Sequence, residues 1–137
     1  EHHWEAAWDW GGFMSGGSGN DTLMVDVFLD GALGIDGGAD SDTLDFDCDM
    51  NVWVDGVPNS MPFNRVDLEA GNGTTALGGT LTIARVESVF GGAYRDKFLG
   101  DDIANHFRGR GNNDVLEGRG GADTLDGGSG HDVAQYL

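Results

Sequence analysis

The residues with the most chemical potential in this chain are aspartates, and they recur at a fixed interval. Divided into nonapeptides from Gly91, the sequence reads GGAYRDKFL, GDDIANHFR, GRGNNDVLE, GRGGADTLD and GGSGHDVAQ, without a gap to Gln135. The first position is always glycine, the sixth is Asp96, Asn105, Asp114, Asp123 and Asp132, and the eighth is Phe98, Phe107, Leu116, Leu125 and Ala134. Two upstream copies, GGSGNDTLM at 16–24 and GGADSDTLD at 37–45, place Asp21 and Asp42 sixth and Leu23 and Leu44 eighth. One aspartate in a glycine-rich turn ordinarily caps its own backbone. Seven copies in one register point instead to a shared ligand. Hard carboxylate oxygens, joined by carbonyls that glycine allows to turn inward, form the donor set that calcium selects.

Such a set works only if something holds the turns in stack. The last three residues of each nonapeptide have the pattern of a short strand whose central side chain points into a core. Two nonapeptides then make one coil, and the eighth-position side chains pile up in two rows.

This pattern resembles the RTX family of calcium-binding nonapeptides, G-G-x-G-x-D-x-U-x with U a large apolar residue. The resemblance covers residues 16–24, 37–45 and 91–135. It implies an all-β fold, a right-handed parallel β-roll (a β-solenoid), with calcium ions held between turns of successive coils. Turns stacked on one side are two repeats apart, which pairs Asp96 with Asp114, Asp114 with Asp132, and Asn105 with Asp123. The calcium-holding residues it implies are Gly16, Ser18 and Asp21 in the first turn, and Gly37, Ala39, Asp40 and Asp42 in the second. Further on they are Gly91, Ala93 and Asp96, then Asn105 with Asp101 and Asp102 as replacement oxygens. The last three turns supply Gly109, Gly111 and Asp114; Gly118, Gly120 and Asp123; and Gly127, Ser129 and Asp132. Departures from the pattern predict a weaker site at Asn105, which lacks the charge. They also predict a distorted first coil of the 91–135 block, because Tyr94 replaces a fourth-place glycine and Arg110 and Arg119 replace second-place ones; Asp40 does the former upstream.

Between the blocks, residues 46–90 read as solenoid strands without regular calcium turns. Thr43–Met50 alternates apolar and acidic residues, burying Leu44, Phe46, Cys48 and Met50 on one face. Val52–Val54 continues as strand, Val57–Pro62 is a loop, and Arg65–Glu69 and Thr80–Val86 are strands flanking a turn at Ala70–Gly73. Val66-Asp67-Leu68 and Val86-Glu87-Ser88-Val89-Phe90-Gly91 resemble the segment that precedes a fresh block of nonapeptides in RTX proteins. Residues 1–15 differ: Trp4, Trp8, Trp10, Phe13 and Met14 suit an aromatic cap over the open end of a roll spanning 16–137, with Trp4 and Trp8 at helical spacing. A sugar- or protein-docking patch is the competing reading of those rings.

Composition narrows the function. The 137 residues carry 24 acids against 7 Lys and Arg, a net charge of −17, and include 25 glycines. So acidic a chain repels nucleic-acid phosphate, two prolines cannot support a collagen triplet, and no apolar run reaches the roughly 20 residues of a membrane span. The single cysteine, Cys48, is a small hydrophobe with no disulfide partner. Neither H-E-x-x-H nor G-x-S-x-G occurs, and Asp47–Asn51 fails as an EF-hand loop because Val52 stands where glycine is required. His2 and His3 are adjacent near a terminus and read as exposed, as do His106 and His131. The expectation is a non-enzyme: a calcium-binding structural module of a secreted or cell-surface bacterial protein, exported unfolded by type I secretion and folding on calcium outside. The alternative is the accessory module of an extracellular protease, lipase or polysaccharide epimerase. Beyond calcium, the expected partners are further copies of the chain through its apolar C-terminal end, neighbouring domains, or a polysaccharide.

Overall fold

The computed structural model describes residues 3–6, 12–25, 31–46, 64–75, 78–92 and 95–136, with only the backbone of 3–6. Its strands are β1 (His3–Ala6), β2 (Gly12–Ser15), β3 (Thr22–Val25), β4 (Ala32–Asp36), β5 (Thr43–Asp45), β6 (Asn64–Asp67), β7 (Asn72–Thr74), β8 (Thr80–Ala84) and β9 (Ser88–Phe90). They continue with β10 (Asp96–Leu99), β11 (His106–Arg108), β12 (Val115–Glu117), β13 (Thr124–Asp126) and β14 (Val133–Gln135), and no helix occurs among the described residues. The chain alternates between two sheets. One has the order β1-β3-β5-β9-β11-β13 and the other β14-β12-β10-β6-β7-β8-β4-β2. All pairs are parallel except the two that β7 makes. An all-β, largely parallel two-sheet architecture consistent with a β-roll is therefore present.

Registry explains the repeat length. Equivalent residues are 18 apart on neighbouring strands of the C-terminal block and 21 apart between β2 and β4 and between β3 and β5. Each eighth-position side chain therefore falls on its counterpart. In the first sheet Leu23, Leu44, Val89, Phe107 and Leu125 form one row. In the second, Leu33, Leu81, Gly73, Val66, Phe98, Leu116 and Ala134 form another. From Leu23 to Leu116 the large members of both rows are buried, and Phe98 meets Phe107 edge-on at 5.9 Å between the sheets. Both rows shrink at the C-terminal end, where Leu125 is half-buried, Ala134 is exposed, and Val133 and Tyr136 face outward.

The linking region departs from uniform parallel coils. The turn expected at 70–73 lies at Leu68–Gly71, closed by the Gly71 amide on the Asp67 carbonyl at 2.9 Å and the Ala70 amide on Asp67 Oδ1 at 3.1 Å. Asn72–Thr74 then runs back as antiparallel β7 between β6 and β8. Gly73 permits it: a Cβ there would lie 2.5 Å from the Arg65 carbonyl oxygen. Trp4 lies in extended β1, in register with Leu23, and not on a helical turn. Trp8, Trp10, Cys48, Met50, Val52–Val54 and the loop at 57–62 lie outside the described residues.

Candidate calcium centre in the stacked turns

Each turn begins with a kink in backbone hand. Second- and fourth-place residues take left-handed φ at Gly17 and Gly19, Gly38 and Asp40, Arg110 and Asn112, Arg119 and Gly121, and Gly128 and Gly130. The non-glycine replacements thus keep the glycine geometry, and the turns at 109–114 and 118–123 are not distorted. Turn 100–105 departs, since Asp101 and Ile103 stay outside the left-handed region, and so does Gly92 in the second place of turn 91–96. Tyr94 and Ala93 lie outside the described residues.

The sixth-place side chains point inward and form two ladders. On the row leading into the second sheet, the Asp96 amide donates to Asp114 Oδ1 at 2.8 Å and the Asp114 amide to Asp132 Oδ1 at 2.8 Å. On the other row, the Asp21 amide donates to Asp42 Oδ1 and the Asn105 amide to Asp123 Oδ1, both at 2.9 Å. The structure thus brings together the pairs Asp96–Asp114, Asp114–Asp132 and Asn105–Asp123. Asp42, Asp114, Asp123 and Asp132 each hold the amide of the sixth-place residue one coil before.

The other carboxylate oxygen points under the first-place glycine. A Cβ on Gly16 would sit 2.5 Å from Asp21 Oδ2, and one on Gly37 2.7 Å from Asp42 Oδ2. At Gly91, Gly109 and Gly118 it would overlap the Oδ2 of Asp96, Asp114 and Asp123 outright. The first-place carbonyl of the next coil enters the same space: Gly109 O would lie 2.8 Å from a Cβ on Gly91, and Gly127 O 2.7 Å from one on Gly109. Glycine is obligatory there because oxygens fill the place of a side chain. Oδ2 of Asp42, Asp114 and Asp123 is buried and accepts no hydrogen bond. An acid oxygen buried beside a carbonyl, with no donor, is costly unless a cation or proton arrives.

The charge states register that cost. Burial, opposed by the Asn64 amide and reinforced by the Asp114 charge, pushes Asp96 up to about 8. Burial also lifts Asp114 to about 7, against the Asp96 amide and with the Asp132 charge adding to the rise. Burial raises Asp42 as well, with Glu87 and Asp21 contributing. Among the described residues no three His, Cys, Asp or Glu side chains converge on one point. A cation here would be held by one carboxylate per turn plus turn carbonyls, a set that suits hard calcium. The residues present therefore fit the ion.

The remaining expected ligands vary in placement. Asp40 Oδ2 accepts the Gly19 amide at 2.9 Å, tying the second turn to the first, and Ser18 and Ala39 bridge the same pair. Gly111 and Ser129 donate their amides to Gly92 and Arg110 carbonyls one coil back, at 3.1 and 2.8 Å. Asp101 Oδ1 accepts the Ile103 amide at 3.2 Å, so that oxygen serves its own turn. Asp102 is exposed but lies against Gly120 of the next coil, where a Cβ would be 3.0 Å from its Oδ1. Two rungs escaped sequence reading. Glu87 Oε2 accepts the Asp42 amide at 2.8 Å, and Asn64 Nδ2 donates to Asp96 Oδ1 at 2.9 Å. Both stand two residues before an inward-facing valine, Val89 and Val66, as each sixth-place residue stands before its eighth. Counting backwards from those valines would have found them.

Fold and site together define a two-sheet, mostly parallel β protein with stacked glycine–aspartate turns. The RTX calcium-binding nonapeptide repeat matches in four copies, at residues 13–26 and 99–134. Those two stretches are thus similar to the RTX calcium-binding repeat. Residues 37–45 and 91–98 fall outside the matched stretches, although Asp42 and Asp96 occupy the same rungs as their matched neighbours. Among curated proteins, none matches the chain.

Proposed function

We propose that this chain is a calcium-dependent structural module, a right-handed β-roll that folds when calcium enters the gaps between its stacked turns. The observation that carries this reading is the row of buried, donor-less carboxylate oxygens at Asp42, Asp114 and Asp123 under first-place glycines. Gly16, Gly37, Gly91, Gly109, Gly118 and Gly127 with their sixth-place partners, and the third-place carbonyls at Ser18, Ala39, Ala93, Gly111, Gly120 and Ser129, line these gaps, and those gaps not already bridged by a side-chain cation would hold the ions. Calcium supplies positive charge that cross-links two turns and cancels their repulsion. At millimolar calcium and a Kd of about 10⁻⁴ M, each site adds roughly 1–3 kcal/mol. That is a large part of a single domain's stability.

RTX repeats typify secreted bacterial proteins, and a net charge of −17 on a glycine-rich chain disfavours compaction without cations. Both support export in the unfolded state through the type I route and folding outside, as spacer, folding nucleus or adhesive surface. The test is circular dichroism and urea denaturation in chelator and in millimolar calcium. A β spectrum that appears or sharpens with calcium, with a higher urea midpoint, is expected. Identical spectra and midpoints would overturn the reading.

A further inference from the structure

Arg110 and Arg119 stand where the repeat has its second glycine, and both keep left-handed backbones, at φ 73° and 65°. Glycine adopts that conformation freely, whereas a residue with a Cβ is strained there. The strain is offset by what each guanidinium reaches. Arg110 Nη1 donates to the Gly91 carbonyl at 3.0 Å and to Asp45 Oδ1 at 2.8 Å, and its Nη2 donates to Asp45 Oδ2 at 3.3 Å. Arg119 Nη1 donates to the Gly100 carbonyl at 3.1 Å, and to Asp67 Oδ1 and Glu69 Oε2 at 2.9 Å each.

These two sets are the same device. Gly91 and Gly100 are the first-place residues one coil before each arginine. Asp45 is in register with Phe90, which precedes Gly91, and Asp67 with Leu99, which precedes Gly100. A positive group therefore bridges a first-place carbonyl and a carboxylate across a gap between stacked turns, once on each turn row. The aspartates are well covered, at 13% and 11% side-chain exposure. Burial works against ionisation of Asp67, but the Ala70 amide and the Arg119 guanidinium outweigh it and hold the carboxyl below its usual range.

We propose that Arg110 and Arg119 are chain-encoded cations that replace calcium in two gaps, between turns 91–96 and 109–114 and between turns 100–105 and 118–123. Cation dependence is then left to the gaps whose later turn has glycine in second place, Gly38 between turns 16–21 and 37–42 and Gly128 between turns 109–114 and 127–132. The stapling of these two gaps by arginine stands by itself; the replacement of calcium there and the cation dependence of the other gaps rest on the calcium reading above. A guanidinium cannot be removed by a chelator, so the centre of the chain stays stapled at any calcium concentration. The outer turns assemble on it when the ion arrives.

Residue-resolved hydrogen exchange on the whole chain tests this, for the wild type and for Arg110→Gly/Arg119→Gly, in chelator and in calcium. In chelator, the wild-type amides of Asp96 and Asn105, which close the stapled gaps, are expected to stay protected, and those of Asp21 and Asp114 to exchange. In the double variant, the Asp96 and Asn105 amides are expected to lose about tenfold or more of their protection in chelator and recover it in calcium. Calorimetry then counts one further calcium ion per substitution, even if the variant is unfolded without the ion. Equal protection of Asp96 and Asn105 with and without the arginines, or an unchanged ion count, overturns the proposal. Wild-type Asp21 and Asp114 amides indifferent to calcium would sink the calcium reading instead, while the variant's behaviour in chelator still decides the arginine role.

Discussion

Replacing Gly109 with alanine probes the stacked turns with the least ambiguity. Gly109 does not have a left-handed φ, so the methyl group acts through contact alone. Its Cβ would overlap Asp114 Oδ2 and lie 2.7 Å from both Asp114 Cγ and the Gly127 carbonyl oxygen. Asp114 would have to swing away, and its Oδ1 holds the Asp96 amide at 2.8 Å in a residue only 2% exposed. Overpacking a filled site costs about 1–3 kcal/mol. A buried amide left without its acceptor costs about another 1–3 kcal/mol. The expected loss is therefore about 2–6 kcal/mol against a typical total of about 5–15. Gly31→Ala is the control, because no described atom lies within 4 Å of its would-be Cβ and its φ is ordinary. That change should be neutral or stabilise by up to about 1 kcal/mol through the unfolded chain. Urea midpoints in calcium, read at constant slope, give both values. If the two variants differ by less than about 0.5 kcal/mol, the inward ladder of carboxylates is wrong.

Three further outcomes follow from the same geometry. In calcium-free buffer, folding should take up protons, because burial raises Asp96 to about 8 and Asp114 to about 7 from 3.8. Their stabilising protonation is complete below about pH 4 and is lost as pH rises towards 8, at up to about 1.4 kcal/mol per pH unit for each group. Asp36, held low by the Arg85 guanidinium, and Asp67, held low against burial by the Ala70 amide and Arg119, act in the opposite sense below that range. Urea midpoints that fall with acidification between pH 8 and pH 5 would contradict the assignment. Asp114→Asn should raise the calcium-free midpoint by removing a buried charge, yet weaken calcium binding in calorimetry and lower the calcium-bound midpoint by about 1–3 kcal/mol; a loss of equal size in both conditions would speak against an ion at that rung. Phe107→Ala, at a fully buried position that meets Phe98, should cost about 3–5 kcal/mol, and a midpoint shift worth under about 1 kcal/mol would mean the two sheets do not share one core.

The repeat made the glycine–aspartate turns and inward rows legible in the sequence because a fixed spacing states geometry directly. Gly-x-x-x-x-Asp-x-Leu places the carboxylate and the core side chain in one unit, and the observed registers follow from that length. Reading failed where contacts are non-local. Nothing near Asn72–Thr74 signals an antiparallel strand; its place depends on β6 and β8 leaving a slot in which only Gly73 fits. Arg110 and Arg119 looked like blemishes in a glycine pattern, because their partners Asp45 and Asp67 lie 65 and 52 residues away. Glu87 and Asn64 were hidden by departing from aspartate, although their offset from an inward valine is unchanged. Helical spacing of Trp4 and Trp8 proved uninformative, since strand pairing with β3 fixes β1 as extended.

A ladder of like charges explains why the sequence varies as it does along its rungs. Neighbouring strands are about 4.8 Å apart, and two ionised carboxylates at that distance repel by under 1 kcal/mol in water but by about 3 kcal/mol at an effective dielectric near 20. Uniform aspartate at every rung would make repulsion grow with each coil. The chain shows several ways of relieving it. Asn64 and Asn105 keep a polar side chain at the rung without the charge, and Asn105 Oδ1 still accepts the Asp101 amide at 3.0 Å. Arg110 and Arg119 bring positive charge from the second place of the turn to carboxylates beside the row. Asp96 and Asp114 are moved towards retaining a proton. The Asp21–Asp42 and Asp114–Asp132 gaps, near the two ends of the stack, have glycine in second place on both turns or on the outer one. On the reading proposed above, those gaps depend most on an ion from solution, with calcium acting at the ends of the stack and the chain's own cations at its middle.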